Sequence, residues 1–146
     1  RSFGPMRAQL EYGSDYYNNA NNIISLAMIE TKEAVENLDE ILSVPDLTGV
    51  YIGPADMCSS YGLKPQFDPR DDLIYSNIKL IAKKAKENNK IAGIHTGSTL
   101  YAKEMIQLGF QFVTILSEFR FMTAYAENII KEIKNEKDKS TSDITY

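Results

Sequence analysis

The stretch Thr48-Gly49-Val50-Tyr51-Ile52-Gly53-Pro54-Ala55-Asp56 decides how the rest of the chain is read. Its first five residues form a short β-prone run, and Gly-Pro then turns the chain sharply. Three other runs share this form: residues 23–29 (IISLAMI), 90–94 (KIAGI) and 112–116 (FVTIL). Each is nearly continuous in apolar character and bounded by turn or polar residues, so each reads as a buried strand covered on both faces. A helical period follows every one. Ala34, Val35, Leu38, Ile41 and Leu42 form a stripe after the first run, and Ile74, Ile78, Ile81 and Ala85 recur inside residues 71–88. Ala102, Met105, Ile106 and Gly109 do the same before the last strand, and Met122, Tyr125, Ile129 and Ile133 after it. Thr31 and Ser98 are placed to cap helices, Asp68-Pro69 to begin one, and Leu108-Gly109 to end one.

Four β-α units in succession imply parallel strands joined by right-handed crossovers, an α/β fold. The pattern fits a small open doubly wound sheet and half of an eightfold barrel equally. Residues 1–134 read as one folded unit, and residues 135–146, charged and rich in Ser and Thr, as a tail. The chain opens at Arg1 inside a motif-like stretch, so the expectation is a piece of a longer protein.

Composition narrows the function. Sixteen basic residues are interspersed with twenty acidic ones, for a net charge of −4, which argues against a nucleic-acid binder or a polybasic membrane sensor. No run approaches the roughly 18 apolar residues that a membrane-spanning helix needs. Cys58 is the single cysteine, which excludes an intramolecular disulfide and a cysteine-based zinc cluster and makes a reducing cytoplasm the expected compartment.

In a parallel α/β fold, functional residues lie just past the carboxyl ends of the strands. Glu30 and Asp56 end consecutive units. If their strands are neighbours the two carboxylates converge, and a hard divalent cation is the economical way to join them. From spacing alone the commoner reading is that both are helix-start acids acting as caps. The turn at Gly53-Pro54 leaves the amides of Ala55 and Asp56 free to form a small anion-binding nest, or simply an ordinary βα turn. His95, the only histidine, ends the third strand and lines the same mouth, either as a proton-transfer group or as a hydrogen-bonded structural residue. Glu118 reads as a helix N-terminal acid, and Cys58 as inert. Gly97-Ser98 is too short to be a phosphate loop. Tyr12, Tyr16 and Tyr17 mark a surface helix or loop ahead of the first strand.

These residues resemble a known family. Arg1-Ser2-Phe3-Gly4-Pro5-Met6-Arg7-Ala8, Tyr12-Gly13, Ala20-Asn21, Met28-Ile29-Glu30-Thr31-Lys32-Glu33-Ala34, Leu38-Asp39-Glu40-Ile41, Val50 to Met57 and Tyr61-Gly62 look like the second half of an HpcH/HpaI aldolase. The Ile29-Glu30-Thr31 and Gly53-Pro54-Ala55-Asp56 pair is the specific core of the match, and Gly93 to Ser98 and Leu108-Gly109-Phe110 support it more loosely.

The resemblance implies the C-terminal half, about four β/α units, of a TIM (β/α)8 barrel. It implies a class II aldolase that splits 4-hydroxy-2-oxoacids into pyruvate and an aldehyde, as a cytoplasmic homo-oligomer. Glu30 and Asp56 would ligate Mg²⁺, Mn²⁺ or another divalent cation, the amides around Ala55 and Asp56 would hold the substrate carboxylate, and His95 would stand at the pocket wall. A citramalyl- or citryl-CoA lyase relative and a non-catalytic metal-binding half-barrel subunit are the alternatives. Two departures matter. Met28 stands where many members of the family have glutamine. The family's catalytic histidine with its acidic partner, and the arginine that steadies the enolate oxygen, belong to the first half of the barrel. No catalytic residue is therefore assigned here, and little turnover is expected of this chain alone.

Overall fold

The computed structural model describes residues 6–19 and 23–134. The expected tail at residues 135–146, and the motif residues at 1–5 and 20–21, lie outside them. Two short helices, α1 (Met6–Tyr12) and α2 (Tyr16–Asn19), precede the sheet. There follow β1 (Leu26–Ile29), α3 (Lys32–Glu36), α4 (Leu38–Leu42), β2 (Gly49–Ile52), α5 (Pro54–Ser60) and α6 (Asp72–Glu87). The described part closes with β3 (Ile91–Thr96), α7 (Thr99–Gln107), β4 (Phe112–Ile115) and α8 (Glu118–Ile133). All strand pairs are parallel, and spatial order follows sequence order, β1-β2-β3-β4.

Local chemistry sets most of the boundaries. Thr31 and Ser98 accept hydrogen bonds from the amides of Ala34 and Tyr101, so both cap as their sequence positions imply. At the end of α7 the Phe110 amide bonds to the Met105 carbonyl and the Gly109 amide to that of Ile106, closing the helix at Leu108-Gly109. Asp68-Pro69, however, does not begin α6. Asp71 caps it, accepting from the amides of Leu73 and Ile74, because the Asp68 carboxylate is already held by the Gly97 amide at 2.6 Å.

Strand alternation divides the sheet into unlike faces. Ile29, Val50, Ile52, Ala92, Ile94 and Thr96 are at most 2% exposed. They share a core with Leu38, Leu42, Met57, Ile74, Ile78, Ile81 and Met105 from the helices. The opposite face carries Met28 and Phe112, which are 50% and 48% exposed. The reading of strands covered on both faces is thus corrected: helices cover one face, and no described element covers the other. Apolar runs long enough for two-sided burial are present, but only one partner layer is.

Three strand limits also differ from the sequence reading. β1 starts at Leu26, leaving Ile23 and Ile24 exposed. β3 runs on to Thr96, so His95 sits within a strand. β4 stops at Ile115 because Leu116 turns into the left-handed region at φ 50°. Helix α8 forms where its period places it, but none of its residues is buried, so the stripe from Met122 to Ile133 does not contribute to the core.

Candidate functional site

The register brings the functional side chains together. Met28, Tyr51, Gly93 and Phe112 make one continuous rung across the four strands. Extending the pairing two residues up each strand sets Glu30 beside Gly53, Gly53 beside His95, and His95 beside its partner Thr114. Since side chains repeat every second residue, both rungs project from the uncovered face.

A β-carbon on Gly53 would stand 2.5 Å from Glu30 Oε2, so the missing side chain makes room for that carboxylate. Burial, followed by the charge of Asp56, pushes the Glu30 carboxyl above its ordinary range. Asp56 sits in the first turn of α5, behind Pro54 and Ala55; Gly53 caps that helix without a side-chain bond. Neither carboxylate is paired with a basic group among the described residues. Glu30 does not cap α3, because Thr31 does. No third His, Cys, Asp or Glu joins the two acids among the described residues. Two like charges close enough to interact, unneutralised and with one carboxyl shifted towards protonation, could hold a small hard cation.

Beside the acids lies an open cleft of about 190 Å³, between Met28, Tyr51, Phe67 and His95 on one side and Gly53, Pro54, Ala55 and Asp56 on the other. His95 Nδ1 is 2.9 Å from Thr114 Oγ1 and 3.5 Å from the Tyr51 hydroxyl. The Tyr51 hydroxyl is in turn bonded to Thr114. Phe67 meets the imidazole edge-on with ring centres 4.9 Å apart. Burial lowers the His95 pKa, with Asp68 opposing it, so the ring is neutral near pH 7.

Phe67 is delivered by the α5–α6 connection, which is tied down at successive residues. Asp68 takes the Gly97 amide, the Pro69 carbonyl accepts from the Tyr101 hydroxyl at 3.2 Å, and Arg70 forks onto Glu104 at 3.0 and 2.9 Å. The same guanidinium stacks 4.8 Å from the centre of the Tyr101 ring.

The structure therefore groups Glu30, Ala55, Asp56 and His95 at one mouth. Cys58 is buried in the core with its thiol pKa raised by that burial, an inert position. Glu118 opens α8 and takes no part in the cleft. Tyr51, Phe67 and Thr114 are site residues that the sequence reading lacks. Tyr51 and Thr114 were within reach of an alternation argument, whereas Phe67 lies in a loop with no periodic signal.

A family model described as HpcH/HpaI aldolase/citrate lyase matches residues 6–120. The chain belongs to that family. It is 39% identical over 135 residues to a hydroxypyruvate/pyruvate aldolase of Rhizorhabdus wittichii, covering 92% of this chain and 54% of the relative. It is 32% identical over 114 residues to a 4-hydroxy-2-oxo-heptane-1,7-dioate aldolase of Escherichia coli, covering 77% and 43%. A solved HpcH/HpaI aldolase/citrate lyase family protein of Burkholderia cenocepacia superposes with a TM-score of 0.80 at 20% identity, covering 92% of this chain and 52% of that one. The chain spans about half the length of the curated family members it matches. The family resemblance read from Glu30, Asp56 and their neighbours holds, and so does the α/β architecture with a parallel sheet.

Proposed function

We propose that this chain is the metal- and carboxylate-binding half of a (β/α)8-barrel carbon–carbon lyase, cleaving 4-hydroxy-2-oxoacids to pyruvate and an aldehyde. The observation that carries the reading is the juxtaposition of Glu30 and Asp56, unneutralised, over a sheet face without a cover. A parallel sheet is ordinarily covered on both sides, and in a closed barrel the inner face is covered by the opposite strands. A second set of four β/α units, matching the half of the relatives outside the match, would close this sheet along β1 and β4.

In this reading Glu30 and Asp56 hold Mg²⁺ or Mn²⁺ at the barrel mouth. When bound, the cation supplies Lewis-acid stabilisation of the negative charge that develops on the substrate's keto oxygen. The residues of this chain do the rest of the positioning. The Ala55 and Asp56 amides, at the start of α5 where Gly53 offers no side-chain acceptor, receive the substrate carboxylate. Met28, Tyr51 and Phe67 give the cleft an apolar wall. His95 lines the wall and binds substrate. The acid-base group is assigned to the complementary half, so the chain alone is expected to bind without turning over. The exposed apolar side of α8, with Phe119, Met122 and Tyr125 more than 60% exposed, supports assembly into a homo-oligomer.

Thermal stability is to be measured against Mg²⁺ and Mn²⁺ in wild type, Glu30→Gln and Asp56→Asn. Stabilisation in wild type that either substitution abolishes is the expected result; a wild-type protein indifferent to both ions refutes the reading. Retro-aldol cleavage of a 4-hydroxy-2-oxoacid is then assayed with and without the complementary half, and robust activity of this chain alone contradicts the placement of the base.

A further inference from the structure

Thr114 Oγ1 is the centre of a three-residue relay. It has one proton to give and two lone pairs to receive with, and it faces both the Tyr51 hydroxyl and His95 Nδ1. If the imidazole proton sat on Nδ1, Thr114 would accept it and either strand its own hydroxyl proton or donate it to the Tyr51 oxygen, which leaves the phenol proton with no acceptor among the described residues. If instead Tyr51 donates to Thr114 and Thr114 donates to Nδ1, every proton is used. The phenol is also the more acidic of the two hydroxyls, which favours it as donor. The second arrangement leaves the imidazole proton on Nε2, which makes no hydrogen bond to the protein among the described residues, and the ring lines the cleft.

We propose that Tyr51 and Thr114 lock His95 as a neutral imidazole protonated at Nε2, so that the cleft wall offers a hydrogen-bond donor to an uncharged oxygen, a carbonyl or hydroxyl, of the bound molecule. The assignment of that molecule as an aldehyde or oxoacid rests on the lyase reading; the state of the ring does not. Two features select the class of ligand. An uncharged N–H has no net charge with which to attract a carboxylate, and Phe67 packed on the ring edge keeps the surroundings apolar. In the lyase reading the anionic end of an oxoacid lies on the opposite side of the cleft, where Glu30 and Asp56 would hold a cation. His95 is left facing the neutral end, where an aldehyde carbonyl or its hydroxyl neighbour would lie. Tyr51 and Thr114 are positioning residues, acting through His95.

His95 is the only histidine, so a long-range ¹H–¹⁵N spectrum of the imidazole-labelled chain shows a single ring. The expected spectrum has a protonated Nε2 and a lone-pair Nδ1 throughout neutral pH. Thr114→Val should lower the ratio of Nε2–H to Nδ1–H forms by about tenfold, the equivalent of one hydrogen bond of roughly 1.4 kcal/mol. Thr114→Ser should restore it, which separates the loss of the hydroxyl from any loss of fold. An Nδ1–H ring in wild type, or a ratio unmoved by Thr114→Val in a folded protein, overturns the relay. Glycolaldehyde should shift the Nε2 signal where acetate does not. No response to glycolaldehyde, or a larger one to acetate, overturns the ligand assignment. Neither arm needs a metal, so an Nε2–H ring in a protein indifferent to Mg²⁺ would count against the lyase reading alone.

Discussion

Gly53 and Glu30 occupy one space: a β-carbon on the glycine would lie 2.5 Å from Glu30 Oε2 and 3.5 Å from Glu30 Cβ. The closer atom is the far end of a flexible side chain, and the Gly53 backbone, at φ −97° and ψ 90°, is open to any residue. Gly53→Ala should therefore displace the carboxylate without damaging the fold. The expected outcome is a melting temperature within about 2 °C of wild type, together with Mg²⁺ affinity at least about tenfold weaker, ~1.4 kcal/mol. Calorimetric titration of the metal beside a thermal melt checks both. Equal affinity in the two proteins would separate Glu30 from the cation.

The raised pKa of Glu30 and the lowered pKa of Glu104 make opposite contributions to stability against pH. Burial and Asp56 raise the Glu30 pKa, so its ionised form is disfavoured in the fold; its contribution is present below its ordinary 4.5 and is lost as pH rises through the raised value. Hydrogen bonds from Arg70 and then Tyr75 hold the Glu104 carboxyl below 4.5, so its contribution is present above 4.5 and is lost as pH falls through the lowered value. Without metal, wild type should lose stability relative to Glu30→Gln as pH is raised from about 4.5 towards neutrality and lose stability relative to Glu104→Gln as pH is lowered from 4.5. Chemical denaturation in a chelator across that range gives both differences. Curves of the same sign would be inconsistent with the two environments described.

How far the sequence could be read depended on the range of the signal. Thr31, Ser98 and Leu108-Gly109 act within four residues of themselves, and each ends or begins its helix as expected. Glu30 and Asp56 were found because strand ends share a face in any parallel fold, a rule that needs only strand order. Asp68-Pro69 misled because the capping rule has no knowledge of Gly97, nearly thirty residues away, which claims the Asp68 carboxylate. The bare face was invisible for a related reason: apolar runs declare that a strand seeks two covers, not whether both are present. Period-2 alternation passes through Tyr51 and Thr114, but nothing in composition marks a tyrosine and a threonine as linked to a histidine forty-four and nineteen residues away.

Arg70 and Glu104 hold the loop that carries Phe67 to the cleft. The pair is partly exposed, with side-chain accessibilities of 61% and 31%, and an ordinary ion pair in that position is worth less than about 1 kcal/mol. Three further features raise the value here: the two-pronged geometry, the Tyr75 hydroxyl on the same carboxylate, and the guanidinium stacked over Tyr101. Arg70→Lys keeps the charge but loses the fork and the stack. Its expected cost is about 1–2 kcal/mol by urea denaturation, with loss of the Phe67–His95 ring-current shift. A lysine variant as stable as wild type would show that charge alone holds the loop.

Gly93 lies between Tyr51 and Phe112, whose ring centres are 5.7 Å apart above it. A β-carbon there would stand 2.8 Å from Tyr51 Cδ2 and 3.2 Å from both Phe112 Cδ1 and the Phe112 carbonyl oxygen. The rings can tilt aside, but the backbone oxygen has less freedom, so Gly93→Ala should cost about 1–3 kcal/mol as an overpacked site. Tilting Tyr51 also draws its hydroxyl away from Thr114, and the His95 ring should then lose part of its Nε2–H preference even though Thr114 is intact. Phe112→Ser is the control. It removes a side chain already 48% exposed and leaves Tyr51 more room. Beyond the apolar area it uncovers, it should cost the aromatic pair, about 0.5–1.5 kcal/mol, and should leave the tautomer of His95 as in wild type. Equilibrium denaturation paired with the imidazole spectrum measures the two effects separately. A Gly93→Ala protein with the His95 ring unchanged would show that Tyr51 does not transmit strain from the sheet floor to the cleft.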